Sequence, residues 1–135
     1  MLADVTAQSR QDPLFRMAAY QLATEALAAA ADDAIALLRR SPGRAVADQL
    51  YRAVGSVGAN LAEGYSRSSG RDRVRLFEYA LGSARESLHW YRAAAPFLDP
   101  HRIEQQDERL SRVRRILLTA IPQERKRTIR PNTER

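Results

Sequence analysis

Val74, Phe77, Leu81, Ala84, Leu88, Tyr91, Ala95 and Leu98 follow one another at alternating steps of three and four, without a miss. Those steps hold apolar side chains on one line of an α-helix; a strand needs a period of two. A seam that regular requires partner helices running nearly parallel or antiparallel at a shallow crossing angle. Residues 72–98 are therefore read as one long helix, in which Pro96 predicts a kink or an early end.

The rest of the chain supplies the partners. Val46, Leu50, Val54, Val57 and Leu61 form an apolar stripe over residues 44–65, and Leu110, Val113, Leu117 and Ala120 another over 103–120. Asp12-Pro13 has the form of an N-cap followed by proline at the first helical position, and strong helix formers continue to Arg40. Ser41-Pro42-Gly43, the polar run 66–70 and Asp99-Pro100 separate the four segments, and Pro122 is expected to stop the last. Short connections between four long helices predict an all-α, up-down-up-down antiparallel four-helix bundle over residues 12–122. A flexible N-terminus at 1–11 and a basic, disordered tail at 123–135 flank it.

Composition removes several classes of function. The chain has no cysteine, which excludes disulfide frameworks, iron–sulfur clusters and thiol catalysis. Its longest purely apolar run, Ala26 to Ala31, falls far short of the roughly 20 residues that cross a membrane. Met1 to Ser9 lacks the basic start and apolar stretch of a signal peptide, so a soluble, cytoplasmic protein is expected. A di-iron bundle needs two Glu-x-x-His pairs; Glu86 and His89 make one, while His101 has Leu98 three residues before it. No Gly-x-Ser-x-Gly elbow or phosphate-binding glycine loop occurs, and Gly55-x-x-Gly58 falls inside a helix rather than in a KH-type loop. A non-enzyme without metal or cofactor is the expectation.

Charge says more. Residues 1–66 carry six basic and seven acidic groups, residues 67–135 sixteen and nine. An excess confined to one half suits a nucleic-acid partner or an acidic protein surface. Three groups of cations stand out. Arg67, Arg71, Arg73 and Arg75 gather at the turn into the third helix; Arg109, Arg112 and Arg115, with Arg114 beside them, form a stripe on the fourth; Arg125, Lys126, Arg127 and Arg130 lie on the tail. All but one of the chain's 22 basic residues are arginine, whose planar fork suits phosphate and carboxylate alike. Aromatics do not interleave with these arginines, so contact with backbone phosphates is expected rather than base readout.

The second helix carries a further pattern. Gln49, Arg52, Ser56, Asn60 and Glu63 recur at steps of three and four beside its apolar stripe, with Gly55 and Gly58 among them. The third helix repeats the oddity at Gly82-Ser83 and Glu86. Small residues allow close approach of backbones, and buried polar groups need partners. The expectation is that these two helices pack tightly, Arg52, Ser56 and Asn60 facing Ser83 and Glu86, with an Arg52–Glu86 ion pair.

The run from Gln49 to Tyr65, with Gln49-Leu-x-Arg52-Ala and Ser56-x-x-x-Asn60-Leu-Ala-Glu-Gly64, resembles the signature of the four-helix-bundle proteins encoded in intervening sequences of 23S ribosomal RNA genes. Gly82-Ser83-Ala84-Arg85-Glu86 matches that family's Gly-Ser-x-x-Glu on the third helix, and the likeness spans residues 14–121. Leu61 stands for isoleucine, Tyr51 for the usual basic residue and Gly58 for a commoner proline or other residue. The resemblance implies a homopentamer and association with RNA or DNA. A related branch, the accessory proteins of diversity-generating retroelements, implies the alternative of an adaptor for a reverse transcriptase.

Large side chains off the seams also point to self-association. Leu76, Tyr79 and Trp90 on the third helix, Tyr51 on the second and Ile116 on the fourth lie outside their apolar stripes. Aromatic residues in such places are enriched at interfaces. These five are the expected contacts of a homo-oligomer, and a ring of five copies is the closed, heterologous form that the resemblance implies.

Overall fold

The computed structural model describes residues 12–129. Four helices account for most of them: α1 (Ala18–Leu37), α2 (Gly43–Tyr65), α3 (Gly70–Ala94) and α4 (Pro100–Ile129). Each packs against its neighbours in sequence, and α4 returns to pack against α1, closing a square. This is the four-helix bundle that the periodicities predict.

Asp12 does act as a cap, accepting from the Leu14 amide at 2.9 Å, but over a short 3-10 turn, Pro13–Arg16. The chain turns extended at Met17, φ −68° and ψ 120°, before α1 begins. The single helix expected from Pro13 to Arg40 is therefore two pieces, and it ends at Leu37. Alanine decides what α1 can do. Its inner face is Ala19, Ala23, Ala26, Ala30, Asp33 and Leu37, all buried, so it lies close to the other helices. Gly58 and Gly55 of α2 serve the same approach: a Cβ on Gly58 would meet Ala23 at 3.7 Å, and one on Gly55 would meet Leu27 at 3.7 Å. These glycines face α1, not α3 as the sequence suggested.

Leu50, Val54, Val57 and Leu61 of α2 are buried, as are Val74, Phe77, Leu81, Ala84 and Tyr91 of α3. They form two stacked clusters, one around Leu61, Phe77 and Leu117, the other around Leu50, Tyr91 and Leu110. Ser69 caps α3, accepting from the Asp72 amide at 3.2 Å, and Asp72 places a negative charge in the first turn. At the far end Pro96 acts as predicted. The α-helix stops at Ala94 and a 3-10 turn, Ala95–Phe97, follows.

Pro122 does not act as predicted. It sits inside α4, which continues to Ile129, so residues 123–129 of the expected disordered tail are helical. A proline in a helix interior costs about 3 kcal/mol, and contacts with α3 offset it. Ile121 is buried beside Phe77, Arg125 pairs with Glu78, and Glu124 lies 3.8 Å from Arg73. Residues 1–11 and Arg130 onward lie outside the described residues.

Candidate nucleic-acid interface

The cations separate once their partners are considered. Arg73 is structural: its Nε donates to the Arg67 carbonyl at 2.8 Å, another guanidinium nitrogen donates to the Tyr65 carbonyl at 3.1 Å, and the group lies 5.6 Å from the Tyr65 ring centre. A cation at the C-terminal end of α2 also meets the negative pole of that helix. Arg67 pairs with Glu63 at 2.9 Å, Arg75 stands 4.0 Å from Asp72, and Arg71 is exposed without an ion pair among the described residues. On the last turns of α4, Arg125 pairs with Glu78 and Arg127 with Glu124, while Lys126 is exposed.

The stripe expected on α4 forms only in part. A step of three residues turns 300°, so each successive arginine falls 60° further round. Arg109 is half-buried and donates to the Gln106 side chain at 2.9 Å. Both it and Arg112 border the α1–α4 groove with Glu25 and Glu108. Arg115 edges a shallow apolar depression with Ile116, Thr119 and Ala120. Arg114 points the other way, into the α3–α4 groove.

There it meets side chains that the sequence reading missed. Arg85, His89 and Arg92 line the α3 side of that groove, with Leu88 between them and Arg114 opposite. Their steps of four and three place them on one face of α3, the same arithmetic that finds an apolar seam. None of the three arginines forms a salt bridge among the described residues. Nearer the end of α4 the groove becomes an apolar recess of about 390 Å³ between Leu81, Gly82, Leu118, Ile121 and Pro122. Arg85 borders both sections.

Arg102 and Arg109 belong to a different device, a polar network inside the bundle. The Tyr91 hydroxyl donates to Asp33 at 2.6 Å and accepts from the Gln106 amide at 2.8 Å. Arg102 Nε donates to the other Asp33 oxygen at 2.5 Å, and the Gln106 amide also donates to the Ala26 carbonyl at 2.8 Å. Asp33, Tyr91 and Gln106 are almost wholly buried, whereas the Arg102 side chain is 42% exposed. The network joins α1, α3 and α4 and fixes their register. Burial first, and then the bond to Asp33, push the Tyr91 phenol above its usual pKa of about 10.

That shift has a sign. Above about pH 10 the unfolded chain releases the phenolic proton while the folded protein keeps it, so stability falls as pH rises. Tyr91→Phe should therefore be less stable at pH 8 yet decline less steeply above pH 10, by up to about 1.4 kcal/mol per pH unit. Urea midpoints across that range test this; parallel curves would refute it.

Among the described residues no three His, Cys, Asp or Glu side chains gather as metal ligands, and no helix is long and apolar enough to cross a membrane. Over residues 16–119 the sequence matches the family model described as the 23S rRNA-intervening sequence protein. The chain belongs to that family. A solved structure from Bacteroides thetaiotaomicron, described as a protein with unknown function from the S23 ribosomal protein family, shares the fold at a TM-score of 0.71. The two are 18% identical over 76% of this chain and 97% of the other. No curated protein matches this chain in sequence.

In this 23S rRNA-intervening sequence protein the polar stripe of α2 is largely a surface. Gln49, Arg52 and Glu63 are exposed, Ser56 and Asn60 half-buried, and the Asn60 amide donates to the Ser56 carbonyl of its own helix at 2.9 Å. The expected Arg52–Glu86 pair is absent: Glu86 is exposed and accepts from the Trp90 indole at 3.3 Å. Ser83 is half-buried, and its carbonyl accepts from the Ser87 hydroxyl at 2.7 Å. The close approach of α2 and α3 falls instead at Gly64, against Phe77 and Leu76.

The five residues expected at an oligomer interface also divide. Leu76 is buried within the bundle and so is not an interface residue. Trp90 and Ile116 are half-buried against the core, while Tyr51 and Tyr79 are 46% and 56% exposed.

Proposed function

We propose that the protein is a non-catalytic nucleic-acid-binding bundle that holds backbone phosphates without reading sequence, and that it works as a homo-oligomer. The observation that carries this reading is the α3–α4 groove, where Arg85, Arg92 and Arg114 converge, none of them in a salt bridge among the described residues. Unpaired guanidiniums that share a groove suit a polyanion, because each phosphate they neutralise releases condensed counterions. Arg112 and Arg115 extend the same positive field round α4. Exposed Tyr51 and Tyr79 support self-association, and five copies is the number the family resemblance implies. Repetition round a ring would turn one weak contact into a multivalent one.

Fluorescence anisotropy with labelled RNA at about 50 and 200 mM salt tests the binding. Neutralising three phosphates of a single strand predicts a loss of affinity near twentyfold between those salts. No detectable binding at the lower salt by folded, micromolar protein would refute the reading. Light scattering coupled to size exclusion tests assembly; a mass near the 15.2 kDa of one chain would refute the oligomer.

A further inference from the structure

We infer that the α3–α4 groove is a site for single-stranded nucleic acid, in which Arg85, Arg92 and Arg114 hold successive phosphates and the recess beside Gly82 receives an unpaired base. The inference rests on the proposed nucleic-acid binding and adds to it a substrate class and a place for a base.

Two sections of one groove carry it. The cationic section holds three unpaired guanidiniums and His89 around Leu88. Arg85 and Arg92 lie seven residues apart on one face, about 10 Å along the helix axis, a spacing that follows a strand rather than clasping one anion. The recess next to it is walled by Leu81, Leu118, Ile121 and Pro122. Gly82 borders it on the α3 side, and a Cβ there would meet nothing within 4 Å. Leu118 is 47% exposed on its wall, and the Glu78–Arg125 pair closes its far end.

Apolar surface flanked by cations matches the two halves of a nucleotide. A base places its face on apolar or aromatic groups while its phosphate meets guanidinium. A duplex keeps its bases paired and stacked, so it could use the arginines but not the recess. Three arginines beside an apolar recess thus match a single strand, which presents phosphates and unpaired bases together.

The test measures anisotropy of a labelled poly-U single strand and a duplex RNA of equal length on the full chain. The single strand should bind at least about fivefold more tightly than the duplex. Arg85→Ala with Arg92→Ala should weaken single-strand binding about tenfold or more, while Arg71→Ala with Arg75→Ala, an equal loss of charge at the other end of α3, should cost less than about threefold. Gly82→Leu fills the recess and should abolish the single-strand preference while leaving duplex binding unchanged; circular dichroism confirms folding.

Failure of the unaltered protein to bind either RNA would remove the proposed function and this site together. Binding that survives Arg85→Ala/Arg92→Ala, or equal affinity for both RNAs, would overturn the site alone. A change of mass in light scattering on Gly82→Leu would also overturn it, by assigning the recess to contacts between copies.

Discussion

Asp33→Ala is expected to lower the stability of the fold by about 3 kcal/mol, roughly 10 °C in Tm for a domain of this size. Asp33 is wholly buried and accepts from both Tyr91 and Arg102. Removing it leaves the buried Tyr91 hydroxyl without its acceptor, a loss of about 1–3 kcal/mol. It also takes from Arg102 its nearest carboxylate, leaving Asp32 at 4.0 Å, and opens a small void under α1. Breaking a buried ion pair costs about 3–5 kcal/mol, but the half-exposed Arg102 side chain can return to water, which places the value at the low end. Combining Asp33→Leu with Tyr91→Phe should recover part of the loss, because replacing both partners removes the unsatisfied groups as well as the bond. Urea denaturation checks each step; an unchanged midpoint for Asp33→Ala would show that the network does not hold the helices together.

The bundle was legible because apolar spacing at three and four leaves one solution. Leu50 to Leu61 and Val74 to Tyr91 are buried as their patterns require, with Leu88 half-buried against the core. Local signals fared worse wherever tertiary contacts overrode them. Pro122 is a helix breaker by its chemistry, yet Ile121 and the Arg125–Glu78 pair carry α4 past it. The polar network could have been found by the arithmetic that finds cores. Asp33 continues the step from Ala19 through Ala30 to Leu37, and Gln106 lies four residues before Leu110. Each occupies a seam position, where a polar group must find a partner. Arg85, His89 and Arg92 are spread over eight residues of sequence, and only their steps of four and three, counted round the helix, bring them to one face. Arg109 and Arg112 share a groove with Glu25 and Glu108, whereas Arg115 falls beside Ile116, because a step of three turns each side chain 60° further round. Arg52 and Glu86 both face solvent, and the sequence alone did not separate an exposed polar stripe from a buried one.

Two glycines within one signature should respond to alanine with opposite signs. At the exposed Gly82 the change adds a methyl group to open space and relieves the helix of its most flexible residue, so Gly82→Ala should stabilise by about 0.5–1 kcal/mol. At Gly64 the same gain in propensity meets an obstacle. An added Cβ would lie 2.9 Å from two ring carbons of Phe77 and 3.1 Å from the Leu76 Cβ. Phe77 is buried in the core and the Leu76 Cβ is fixed to the α3 backbone, so relief requires α2 and α3 to separate. Overpacking of that kind costs about 1–3 kcal/mol, and the strain is shared with every contact along the most extensive helix pair of the bundle. Gly64→Ala should therefore destabilise by about 1–2 kcal/mol despite better propensity, and Gly64→Val by more, since a branched side chain adds volume against the same ring. Thermal melts of the three variants measure the difference directly. Stabilisation by Gly64→Ala would mean that the helices can part without loss, and the close approach at this glycine would then have no role in holding α2 against α3.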